Sequence, residues 1–194
     1  MREKAEQLVQ RYGQVFKDCF ESGFRHWLER HRDELSIHRG RTRSCCVWDY
    51  VIDQLRTAFA ADRRFRFIDT RDTTYIAYEQ SFLIKVKKLD RCLRTSNVPT
   101  GTSEKFNHQL PLGFDGEWTH LYLGYIPDDL NMKVEQVHLT CPNGSRVAWS
   151  IPILGDLASQ GALQFPAADH AMVPPRKRIR PKTVKRRSAA GDGS

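Results

Sequence analysis

The chain has 194 residues, 31 Lys and Arg against 23 Asp and Glu, and a net charge of +8. That length suits one domain with a proper core plus an appendage. No apolar run reaches the length of a membrane span, and the charged N-terminus MREKAEQLVQRYG lacks the apolar stretch of a secretory signal. The five cysteines (Cys19, Cys45, Cys46, Cys92, Cys141) are odd in number and show no CxxC spacing, which predicts reduced thiols and a cytoplasmic protein.

The first sixty residues read as helical. Ala5, Leu8, Val9, Tyr12, Val15, Phe16, Cys19 and Phe20 recur every three or four positions. Gly23 is a candidate interruption before Phe24, Trp27 and Leu28 resume the stripe. After the Arg-rich stretch SIHRGRTRS, Ser44 reads as an N-cap. Val47, Trp48, Val51, Ile52, Leu55 and Phe59 then form one apolar face, predicting a helix from about Cys45 to Ala60.

From Phe65 the period changes to two. FRFID, TYIAYE and SFLIKVK alternate and are rich in β-branched and aromatic residues. Short links at 70–72 and 80–81 suit antiparallel hairpins. Residues 89–117 form a long polar connection with a short helix expected near Glu104–Gln109. WTHLYLGYI, KVEQVHLTC and RVAWSIPI follow, the last two joined by the turn Pro142-Asn143-Gly144-Ser145. The expected fold is α+β: N-terminal helices (1–62) packed on an antiparallel sheet of five to six strands (63–155). A linker (156–173) and a disordered C-terminal tail (174–194) complete the chain.

The charge is unevenly distributed. Residues 1–99 hold 20 basic and 14 acidic side chains, and residues 100–173 hold 3 and 8. The last 21 residues hold eight basic side chains (Arg176, Lys177, Arg178, Arg180, Lys182, Lys185, Arg186, Arg187) and one acidic, Asp192. With three prolines and almost no apolar content, this run cannot offset the entropy of ordering.

Complete catalytic signatures are missing. His138 and Cys141 have a ligand-like spacing, but on a strand they point to opposite faces, and no second pair accompanies them; no metal and no cofactor is expected. Asp69, Glu79, Lys85 and Lys87 lack the acid two residues before the lysine that a metal-dependent nuclease requires. GxGxxG, GxxxxGK and nucleophile elbows are absent. His108, His120 and Glu79 with the lysines leave a metal-independent ribonuclease-like toxin or growth inhibitor open.

LIKVKKLD carries the stronger signal. Lys85 and Lys87 share one strand face while Ile84 and Val86 take the core side. The lysines read either as a phosphate-binding ridge or as the protected face of an edge strand. Arg91, Arg94, Asn97 and Thr100 in the following loop, and Arg41 and Arg43 before the second helix, extend the candidate surface. Trp118, Tyr122, Tyr125 and Trp149 read chiefly as core, and secondarily as a base-stacking platform.

RTRSCCVWDYVIDQLRTAF, FLIKVKKLDRCLRTSNVPT, Gln109, LYLGYIPDDL and VHLTCPNGSRVAWSIPI together resemble a family of uncharacterised bacterial proteins over about residues 40–153. KKLD followed by SNxPT is the most specific part. Members are found in mobile or regulatory loci, near helix-turn-helix repressors and zinc metallopeptidases. The resemblance implies a phage, plasmid or toxin–antitoxin setting and marks Lys85, Lys87, Lys88, Asp90, Ser96, Asn97, Pro99, Thr100 and Gln109. The expectation is a non-enzymatic binding protein that contacts nucleic acid, or a protein that handles it, and no membrane. A protein–protein adaptor or inhibitor acting through the acidic second half is a further alternative.

Overall fold

The computed structural model describes residues 1–71, 73–95 and 100–154. The expected linker, the basic tail with its eight cations, and Ser96, Asn97 and Pro99 lie outside the described residues.

Helix α1 spans Arg2–Arg30 and α2 spans Gly40–Ala58, joined through a 3-10 turn at Arg32–Glu34. Gly23 does not interrupt α1. A Cβ there would sit 2.8 Å from Val51 Cγ2 and 2.9 Å from the Val51 backbone nitrogen, so the missing side chain lets the two helices meet closely. Ser44 is not an N-cap either. It lies in the first turns of α2 and its hydroxyl donates to the Gly40 carbonyl at 2.8 Å, a local bond that Ser makes readily inside a helix. The helix starts earlier, with Arg39 as an N-cap whose side chain makes no capping bond.

Six strands form one sheet in sequence order: β1 (Phe65–Asp69), β2 (Thr74–Tyr78), β3 (Phe82–Lys88), β4 (Thr119–Pro127), β5 (Val134–Asn143) and β6 (Arg146–Pro152). Every neighbouring pair is antiparallel except β3 and β4, which run parallel from Phe82↔Thr119 to Lys88↔Tyr125. The expected all-antiparallel pattern therefore breaks at the centre. A parallel pair needs a crossover rather than a hairpin, and the long polar connection supplies it. That crossover carries α3 (Gly101–Asn107), close to the helix expected there.

Period-two alternation gives the sheet two dry faces. Ile76, Tyr78, Phe82, Ile84, Val86, Leu121, Leu123, Tyr125, Val137, Leu139 and Cys141 join α1 and α2 in the main core. Tyr75, Ala77, Leu83 and Tyr122 pack with Phe106 of α3 in a smaller core on the other side. The β5–β6 turn is tied to α3 as well: Gly144, at φ 60°, donates its N–H to the Asn107 carbonyl at 2.9 Å. Among the described residues no helix is long and apolar enough to cross a membrane.

Candidate nucleic-acid interface

β3 is a central strand, so the edge-strand reading of its lysines fails. The solvent-facing ridge fails for Lys85 as well. Helix α3 covers that face and leaves Lys85 only 6% exposed. Its Nζ lies 5.1 Å from the centre of the Tyr75 ring and 5.2 Å from that of Phe106. Aromatic faces carry negative charge density and partly replace the lost water. Burial, with a contribution from the charge of Lys87, pushes the Lys85 ammonium down to about 8. Lys85 has no ion pair among the described residues.

Lys87 is half-buried, and burial lowers its pKa. Lys88 is exposed and takes the opposite strand face, beside Tyr125. Its Nζ donates to Asn131 Oδ1 at 3.3 Å. Partial burial and then the nearby Arg43 guanidinium lower the Lys88 pKa. The Arg43 charge, on a different element, thus reaches Lys88.

The elements explain this meeting. The first turns of α2 reach the carboxyl ends of β3 and β4, where Ser44 and Arg43 both act on the Tyr125 phenol, whose pKa is raised chiefly by burial. Arg43 lies over the Trp27 ring at 5.3 Å, and its Nε is buried without a hydrogen-bond partner. Arg39 and Arg41 are exposed at the same helix end. Its free backbone N–H groups and the helix dipole add positive potential there.

The other candidate residues have local tasks. Arg91 is paired with Asp129 at 2.7 Å and with Glu135 at 3.7 Å. Arg94 is 3.8 Å from Asp90. Thr100 is the N-cap of α3 and forms a reciprocal capping box with Ser103. Gln109, at φ 56°, bridges three backbone groups. Its amide nitrogen donates to the His120 and Pro142 carbonyls, each at 3.0 Å, and its oxygen accepts from His120 N at 2.7 Å.

The catalytic alternatives find little geometry. His120 is 2% exposed, stacks on Phe106 at 4.7 Å, and its Nδ1 meets the Phe106 carbonyl at 3.1 Å. It therefore does not face solvent alongside the exposed His108. His138 contacts Ser150 and Gln136, while Cys141 belongs to the main core, so the two stay on opposite faces as expected. Tyr122 and Tyr125 are buried, in agreement with a core role. A shallow depression lined by Leu112, Phe114, Trp118 and His120 lies at the amino end of β4, remote along the strand from the cations.

One side-chain cluster had no counterpart in the sequence reading: His31, Glu34 and His38 converge between α1 and α2. The spacing H-x2-E-x3-H was its signal. Compared with protein-family models, with curated proteins and with solved structures, the chain matches none.

Proposed function

We propose that this protein is a non-enzymatic nucleic-acid-binding protein of a mobile-element, phage or toxin–antitoxin-type locus. Its folded body would meet phosphates through Arg39, Arg41, Arg43 and Lys88. The observation that carries the reading is a group of exposed cations, Arg39 and Arg41 at the start of α2 and Lys88 at the end of β3, with no ion pair to any of them among the described residues. Like charges held together raise the free energy of the empty protein, and a bound phosphate would relieve it. Lys87 borders this group, whereas Lys85 is too buried to join it. The basic run at 174–194, with eight Lys and Arg, adds a phosphate-binding segment that reads no sequence.

The test is the affinity of the full chain for a generic DNA duplex and an RNA duplex across a salt series, repeated without residues 174–194. Eight engaged tail charges would contribute a log–log slope of up to about −7. The shortened chain keeps a smaller, measurable slope from the body. A flat salt response of the full chain rejects the reading.

A further inference from the structure

The connection between the two long helices gathers His31, Glu34 and His38. His31 is the C-cap of α1, Glu34 ends the 3-10 turn, and His38 precedes the N-cap of α2. Backbone bonds hold the three in place: Glu34 N donates to the His31 carbonyl at 2.9 Å, and His38 N to the Glu34 carbonyl at 3.0 Å. Glu34 Oε2 lies 3.1 Å from His31 Nδ1 and 3.4 Å from His38 Nε2. All three ligand atoms fall within 4.8 Å of one another.

We infer that this cluster is a binding site for a divalent transition-metal ion of the zinc class. Bonds of about 2.1 Å to a tetrahedral ion put neighbouring donors about 3.4 Å apart. The two carboxylate–imidazole separations already match, and the imidazole pair needs only a small side-chain adjustment. Two imidazoles and one carboxylate suit zinc better than calcium or magnesium, which take oxygen donors.

The surroundings fit a metal-ligating histidine. His31 Nε2, the nitrogen left over when Nδ1 binds, is 3.5 Å from the Tyr50 hydroxyl oxygen, which can accept a hydrogen bond from Nε2–H and orient the ring. His38 Nε2 faces Glu34, while His38 Nδ1 is buried without a hydrogen-bond partner among the described residues, so of the two imidazoles only His31 has an outer partner. No fourth protein donor joins the cluster among the described residues, which leaves a coordination position for water. A bound ion would staple the end of α1 to the start of α2, immediately before Arg39 and Arg41.

The test is a Co2+ titration of the full chain followed by visible spectroscopy, with Zn2+ competition and thermal melts. One equivalent binds, the spectrum shows d–d bands without an intense thiolate charge-transfer band, and saturating Zn2+ raises Tm. His31→Ala and His38→Ala each weaken binding at least about tenfold, and Tyr50→Phe weakens it within the range of about 10–100-fold seen for outer partners. These side chains are partly exposed, so the metal-free variants keep the wild-type melting profile. Glu34→Gln is a shape-preserving check and also weakens binding. Absence of stoichiometric binding overturns the inference. So does a thiolate band, or affinity unchanged in both histidine variants, because either puts the metal on the cysteines or elsewhere.

Discussion

Lys85 Nζ lies 5.2 Å from the centre of the Phe106 ring, so the short helix α3 closes over a lysine of the central strand β3. The contact joins the sheet to its crossover, and it leaves an ammonium with two aromatic faces and no carboxylate among the described residues. The cost of that burial is open to measurement. A lysine whose folded pKa is about 8, against an ordinary 10.5, holds fewer protons folded than unfolded between those values. Stability therefore rises with pH across that window, and the full cost is present below it. Lys85→Met should stabilise the protein at pH 7 by about 1–3 kcal/mol, with the gain shrinking as pH climbs from 8 toward 10. Urea unfolding of both proteins across that range checks it. A less stable Lys85→Met protein at pH 7 would show that the ammonium is well solvated in its pocket.

Gln109 predicts a loss. Its amide serves the backbone of β4 at His120 and of β5 at Pro142. Gln109→Ala leaves two carbonyls and one N–H without partners and should cost about 2–3 kcal/mol in denaturant unfolding. A cost below about 0.5 kcal/mol, the range of ordinary surface substitutions, would mean the three bonds do not persist in solution.

Gly23 sets two effects against each other. Alanine in a helix interior gains about 1 kcal/mol over glycine. Here its Cβ would meet the Val51 backbone nitrogen at 2.9 Å, and backbone cannot swing aside as a side-chain tip can. Gly23→Ala should therefore destabilise by about 1–3 kcal/mol, and Val51→Ala in the same chain should not restore it. A thermal melt in which Gly23→Ala alone raises Tm contradicts the close helix contact.

Arg91 and Arg41 separate paired from unpaired cations. Arg91 already faces Asp129 and Glu135, whereas Arg41 has no ion pair among the described residues. In the shortened chain, Arg41→Ala and Lys88→Ala should each lower the salt slope of duplex binding by about one. Arg91→Ala should leave it nearly unchanged. Equal effects of all three would mean that net charge, and not the patch at the start of α2, drives binding.

Much of the architecture was legible in the pattern of side chains. The 3.6-residue stripe from Ala5 to Phe20 and the alternation in FRFID, TYIAY and FLIKVK sufficed to assign α1 and the first three strands. Local sequence dictates these, because each element must bury one face. Two local assignments went differently. Ser44 has the chemistry of a cap, but the helix continues past it to Gly40, and Gly23 has the chemistry of a breaker, but a neighbouring helix needs its space.

The chain alone determined which residues alternate, where the charge accumulates and which segment lacks the apolar content for a core. It could not determine which side of β3 meets water. Period two puts Lys85 and Lys87 on one face and Lys88 on the other, but either face can be covered. Only the return of the crossover, with Phe106 seated on Tyr75, Leu83 and Tyr122, decided that Lys85 lies inside. Tertiary packing likewise brought the first turns of α2 to the carboxyl end of β3, whereas His31, Glu34 and His38 meet through local backbone bonds at a spacing already visible in the sequence. The meeting of α2 with β3 depends on where whole elements dock, a property of long-range packing that no local spacing specifies.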